Sequence, residues 1–132
     1  MIYQVELNKN KATTKIYDND TKIGHCIIDI DTSKNSWQIS SWYVEKKYQH
    51  NSLGKSLMKY TAEELIKHFG LPKNIEYIWN GANEYVMKWL DSNFSPISKC
   101  PIAVQKYSSE DDWESHIYIL NTNSFLHYFE FI

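Results

Sequence analysis

The chain contains no arginine: lysine supplies all 14 basic residues, set against 16 acidic ones for a formal charge of -2. Without guanidinium forks it has no bidentate reader of phosphate or guanine, which argues against nucleic acid as a partner. Cysteine is scarce too. Cys26 and Cys100 stand far apart with no CxxC and no Cys/His pairing, so both are read as free thiols, with neither a zinc site nor a disulfide framework expected. The histidines (His25, His50, His68, His116, His127) show no HxxxH or HExxH spacing, so no metal is expected. Apolar runs last only a few residues, Cys26-Ile27-Ile28 for example, and no N-terminal stretch has the basic-then-apolar layout of a secretory leader. The expectation is a cytoplasmic protein with no membrane partner. Of the glycine motifs that grip nucleotides, neither GxxxxGK[ST] nor GxGxxG is present.

What is there suits one globular domain over residues 1–132: 42% hydrophobic and 15% aromatic residues are enough for a single core, and the length is too short for two. Residues 2–7, 13–17, 22–30 and 36–44 read as strands separated by Asn/Asp/Ser turns, an antiparallel meander. From Leu53 the period changes. Leu57, Met58, Ala62, Leu65, Ile66 and Phe69 share a helical face opposite Lys55, Lys59, Glu63 and Lys67, and Gly70 with Pro72 ends the helix. Residues 75–79 read as a strand, followed by a second helix capped by Asn83 and ended at Asn93. Two closing strands, 97–107 and 115–120, flank the acidic turn Glu110-Asp111-Asp112. The last nine residues, 124–132, carry six large apolar or aromatic side chains and fit a strand or a helix equally well. Left exposed they would make a patch of several hundred Å², on the order of the largest a soluble monomer tolerates. They are therefore expected to be buried, as an added edge strand or against a second copy in a homodimer.

The segment that carries chemistry joins the fourth strand to the first helix through Val44, Glu45, two lysines, and Tyr48-Gln49-His50-Asn51-Ser52-Leu53-Gly54-Lys55. The first amides of a helix lack intrahelical partners and sit at the positive end of its dipole, so such a turn can hold a pyrophosphate, and a glycine lets the phosphate come close. Gln49-His50-Asn51-Ser52-Leu53-Gly54 resembles the [QR]-x-x-G-x-[GA] signature of the GNAT superfamily of acyl-CoA-dependent N-acetyltransferases, with Ser52 in place of the first Gly. The resemblance extends at lower specificity over residues 22–107. It implies an α+β fold: a mixed, mostly antiparallel sheet with two main helices, the family's first helices trimmed away because only Asn8-Lys9-Asn10-Lys11-Ala12 separates the first two strands.

The resemblance also implies acetyl-CoA as co-substrate, held by Val44, Gln49, His50, Asn51, Ser52, Leu53, Gly54 and Lys55, with Asn83 added from the second helix. The acceptor would be a small-molecule or protein amine that attacks the thioester directly. For the acid that protonates the thiolate, counting back from Phe94 to the family's usual Tyr lands on Trp89, whose indole does not give up its proton at useful pH. Tyr85, one turn earlier on the same face, is the substitute. The strand before the motif, where the family often keeps a carboxylate base, offers only Gln38, Ser40 and Ser41. Glu45 is therefore the catalytic carboxylate candidate, with Glu76 and Glu84 behind it. Trp89, Ser52 and the missing base also fit a catalytically silent acyl-CoA-binding or regulatory module, and the aromatic tail a protein-interaction domain.

Overall fold

A computed structural model describes residues 1–49, 52–79, 98–100 and 116–132, with residues 79, 98–100 and 116–118 described through their backbone alone. The helix expected after Asn83, with Tyr85, Trp89 and Glu84, lies outside the described residues, as do His50, Asn51 and the acidic turn at Glu110-Asp111-Asp112.

Four strands open the chain, β1 (Ile2–Asn8), β2 (Lys11–Asp18), β3 (Thr21–Asp31) and β4 (Ser36–Val44), each antiparallel to the last. The two-residue turns after β1 and β2 use left-handed backbone at Lys9 and Asn19, with φ of 55° and 54°, which suits a tight hairpin. Because β1 turns straight into β2, no helix stands between them. A 3-10 turn (Lys46–Tyr48) then leads into α1 (Leu53–Phe69), which buries Leu57, Met58, Thr61, Ala62 and Leu65 on the face the apolar spacing marks. Gly70 ends it in left-handed backbone, φ 78°, and its N–H donates to the Ile66 carbonyl at 2.8 Å.

After α1 the chain returns as β5 (Asn74–Trp79), parallel to β4, and later as β6 (Ser98–Cys100) and β7 (His116–Ile119). Among the described residues the sheet has seven strands in the order β1-β2-β3-β4-β5-β7-β6, with β4–β5 its one parallel pair. It is a mixed, mostly antiparallel sheet with helices packed on it, as the motif implied.

α1 packs on β2, β3 and β4. One position lets it come close: a Cβ built on Gly24 would stand 2.7 Å from the Tyr43 carbonyl oxygen and 3.1 Å from Leu57 Cδ1. Beneath the helix Thr61 Oγ1 donates to the Leu57 carbonyl at 2.6 Å and lies 2.7 Å from Thr14 Oγ1. Cys26 is fully buried there and its thiol is pushed up to about 12, by burial first, against the lowering effect of a hydrogen bond with Thr61.

Of the two forms the sequence left open the tail takes the helix, and it is buried as expected, though neither as an edge strand nor against a second copy. Residues Thr122–Tyr128 form a short helix, α2, whose Asn121 side chain accepts the Ser124 N–H at 3.0 Å. Phe125, Leu126 and Phe129 are buried in the core of their own chain. Each such side chain contributes up to about 1.5–3 kcal/mol. Helical spacing collects them on one side, whereas a strand would have split them between two faces. Without an exposed aromatic patch there, the argument for a second copy loses its ground.

Candidate functional site

β4 pairs with β5 only from Ser36↔Asn74 to Ile39↔Tyr77, then runs on to Val44 with no further register partner on β5 among the described residues. The parallel strands therefore part at mid-length, opening a slot between them. At the top of the slot the chain leaves β4 and turns into α1. Several contacts fix that turn. The Glu45 N–H donates to the Ile23 carbonyl at 2.8 Å, and the Gln49 side-chain amide reaches back to the Val44 carbonyl at 2.9 Å. The Tyr48 hydroxyl donates to Asp18 Oδ2 at 2.6 Å, tying the turn to the β2–β3 hairpin and holding the phenol above its usual range through that bond first, then through burial.

The ladder of α1 begins with the Ser56 N–H donating to the Ser52 carbonyl at 3.1 Å, so the amides of Leu53, Gly54 and Lys55 precede it. Ser52 occupies the N-cap without making a side-chain cap bond, and no acidic residue stands in the first turn. Neither a hydroxyl nor a carboxylate from this segment consumes the positive end of the helix. Trp42, on β4 below, donates its indole N–H to the Gly54 carbonyl at 2.9 Å and so sets the height at which α1 starts. A Cβ on Gly54 would meet Trp42 Nε1 at 3.7 Å and Val44 Cγ2 at 3.8 Å, which is ordinary contact. Packing alone does not require glycine there. Ser52 is different: its φ of 61° and ψ of 13° are left-handed, the conformation that glycine adopts without strain.

Of the residues singled out in the sequence, the fold gathers Val44, Glu45, Gln49, Ser52, Leu53, Gly54 and Lys55 at this one turn; His50, Asn51, Asn83 and Tyr85 lie outside the described residues. Two placements were not foreseen. Gln49 spends its side chain bracing the turn, and the Lys55 ammonium lies 4.6 Å from the centroid of the Tyr128 ring on α2. α2 starts beside β5, where the Leu120 N–H donates to the Ile75 carbonyl at 2.9 Å, and reaches the first turn of α1 at its far end.

At the other end of the slot a groove of about 790 Å³ is lined by Asp29, Gln38, Glu76 and Ile119, which form a single row across β3, β4, β5 and β7. The Gln38 amide lies 3.4 Å from Glu76 Oε2, and Lys11 makes a 3.8 Å ion pair with Asp29. The sequence offered no carboxylate on β4, but β5 brings Glu76 beside Gln38. Only the β4–β5 register could have revealed this. Among the described residues no group of His, Cys, Asp and Glu could hold a metal, and no helix is long and apolar enough to cross a membrane.

A parallel pair that parts beneath a helix start suits the fold the motif implied, and the family comparison agrees: the model of the acetyltransferase (GNAT) family matches residues 3–88. The chain belongs to the GNAT family. Its fold is shared with solved structures of low identity. Nourseothricin acetyltransferase superposes with a TM-score of 0.65 at 13% identity, over 85% of this chain and 65% of its own. The ribosomal-protein-S18-alanine N-acetyltransferase of Escherichia coli gives 0.58 at 15%, over 86% and 69%. The PaiA N-acetyltransferase of Thermoplasma acidophilum, solved with coenzyme A, gives 0.56 at 17%, over 83% and 60%. This GNAT chain thus spans less than two thirds of the first and the third of these. No curated protein is significantly similar to it in sequence.

Proposed function

We propose that this GNAT protein transfers an acetyl group from acetyl-CoA to a primary amine by direct attack of the amine on the thioester, as one cytoplasmic domain. The observation that carries the reading is the start of α1 at the mouth of the β4–β5 slot: three amides ahead of the helix ladder, no cap bond from Ser52 and no acid in the first turn. In this reading the backbone of residues 49–55 holds the pyrophosphate, Gly54 leaves it room, and the acyl arm lies in the slot beside the unpaired half of β4. Amides on that edge would stabilise the oxyanion. Tyr85 is the proposed acid for the leaving thiolate, and Glu45 the turn's own carboxylate. The groove with Asp29 and Glu76 would attract a cationic amine, whether a small molecule or a protein amino group.

Ser52 favours a second reading. A side chain held in left-handed backbone at the phosphate turn suits a module that binds acyl-CoA weakly or without catalysis. Calorimetric titration with acetyl-CoA, followed by free-thiol release over a panel of primary amines, separates the two. Binding in the micromolar range with amine-dependent thiol release is expected. Binding without release would leave the silent module, and no binding would overturn both.

A further inference from the structure

Besides the Glu45 carboxylate beyond the end of β4, the amide turn supplies charge stabilisation only. On the face of the sheet away from α1, β3 and β4 bring together a pair of groups that can take a proton from the attacking amine. His25 follows Gly24, which lies against Leu57 of α1, so strand alternation points His25 to the opposite face. The register shifts between Ile27 and Ile28: Ile28 pairs with Ile39 and Ile27 with Ser41, so β4 carries an extra residue at Ser40. The bulge puts Ser41, not Ser40, next after Gln38 on the face His25 shares. His25 Nε2 and Ser41 Oγ are 2.6 Å apart, and the His25 ring lies 5.8 Å from that of Tyr43. Ser41 stands two residues past Ile39, the last β4 residue paired with β5, and so at the point where the slot opens.

We propose, on the acetyltransferase reading above, that Ser41 and His25 relay the proton of the acceptor amine: Ser41 Oγ accepts it from the ammonium while the Ser41 hydroxyl proton passes to His25 Nε2. The amine lone pair then forms the N–C bond to the thioester carbonyl, the C–S bond breaks, and the second proton that the nitrogen loses as the amide forms balances the one the departing thiolate takes up. The imidazolium releases its own proton to solvent, so one proton is freed per acetyl group transferred. His25 acts through Ser41 and is the positioning residue of the pair. Among the described residues His25 Nδ1 is buried with no hydrogen-bond partner, which leaves Nε2 to face Ser41 as an acceptor.

The groups around the ring keep it neutral. Lys15 faces it across β2, Lys22 lies three residues before it on β3, and Ser41 and Tyr43 flank it on β4. Burial first, then Lys22 and Lys15, hold His25 below its ordinary 6.5. A neutral imidazole at neutral pH is what a relay needs.

The test is the pH profile of kcat/KM for wild type, His25→Gln, Ser41→Ala and Ser41→Thr, with acetyl-CoA and either an aliphatic diamine or a lysine peptide. Wild type should show an ionisation below pH 6.5 that His25→Gln abolishes. His25→Gln and Ser41→Ala should each lose about 10²–10⁴-fold in kcat/KM, with no further loss on combining them, while Ser41→Thr retains most of the activity. Acetyl-CoA affinity, measured on each variant, reports that it is folded. A wild-type His25 whose imidazole resonances titrate above pH 6.5, or turnover that keeps the acidic limb in His25→Gln, overturns the relay alone. A wild type that binds no acetyl-CoA, or binds it and acetylates no amine, overturns the acetyltransferase reading and the relay with it.

Discussion

Substituting Gly54 by alanine separates the needs of the fold from those of a ligand. In the free protein the added Cβ meets Trp42 Nε1 at 3.7 Å and Val44 Cγ2 at 3.8 Å, so nothing has to move. Gly54 is the second residue of α1, where alanine is favoured over glycine by about 0.5–1 kcal/mol. Gly54→Ala should therefore melt about 2–5 °C higher than wild type. A phosphate resting on the amides of Leu53, Gly54 and Lys55 meets the opposite outcome, because a methyl at the second of three converging donors holds the anion off. A tenfold loss of acetyl-CoA affinity or more, at least about 1.4 kcal/mol, is expected. Thermal melting and calorimetric titration of the same two samples give both numbers. A variant that is more stable and binds acetyl-CoA as tightly as wild type would refute the placement of the phosphate. A less stable one would refute the packing argument at Gly54.

Ser52→Gly should raise stability by about 1–2 kcal/mol in chemical denaturation, since it relieves left-handed backbone, and should not weaken acetyl-CoA binding. An unchanged midpoint would mean that Ser52 is not strained. Gly24→Ala should destabilise by about 1–3 kcal/mol because its Cβ would stand 2.7 Å from a backbone oxygen; a melting temperature equal to wild type would show that α1 does not sit so low. Cys26 should resist alkylation in the native state at pH 8, and its linkage to folding has a definite sign. A thiol raised from 9.0 to about 12 contributes stability that is full below about pH 9 and lost as pH rises towards 12. Rapid native labelling would place the thiol outside the core.

The meander and α1 were legible because their signals are local. Alternation with Asn/Asp turns marks β1 to β4, and a 3.6-residue apolar period marks α1 to its end at Gly70. The polar turn into α1 was legible too, as a signature directly ahead of a helix start. The tail was not. Phe129 lies three residues after Leu126 and four after Phe125, but nine residues of nearly continuous apolar character satisfy both periods, and packing against the core decided between them. Trp42 under Gly54, Gln38 beside Glu76 and His25 beside Ser41 all depend on strand register. One bulged residue, Ser40, decides which serine shares the face of His25, and no residue pattern announces a bulge.

On the proposed acetyltransferase reading, that dependence on β4 gives a small domain a way to order two substrates. From Gln38 to Val44 the strand advances about 20 Å at roughly 3.3 Å per residue, one extra residue shortening it slightly at the bulge. At its lower end the row of Asp29, Gln38 and Glu76 lines a groove that also carries Asp31 and Lys34; at its upper end Val44 meets a helix start with no acidic residue in its first turn. Ser41 lies between, where β5 has just separated. An amine arriving from the acidic end and a thioester anchored at the amide end would then meet at the middle of β4. On the proposed acetyltransferase reading, the two ends of the strand would sort the substrates before any contact specific to either is made. No wall of helices between β1 and β2 is needed for that sorting, which is consistent with a chain that joins those strands by two residues.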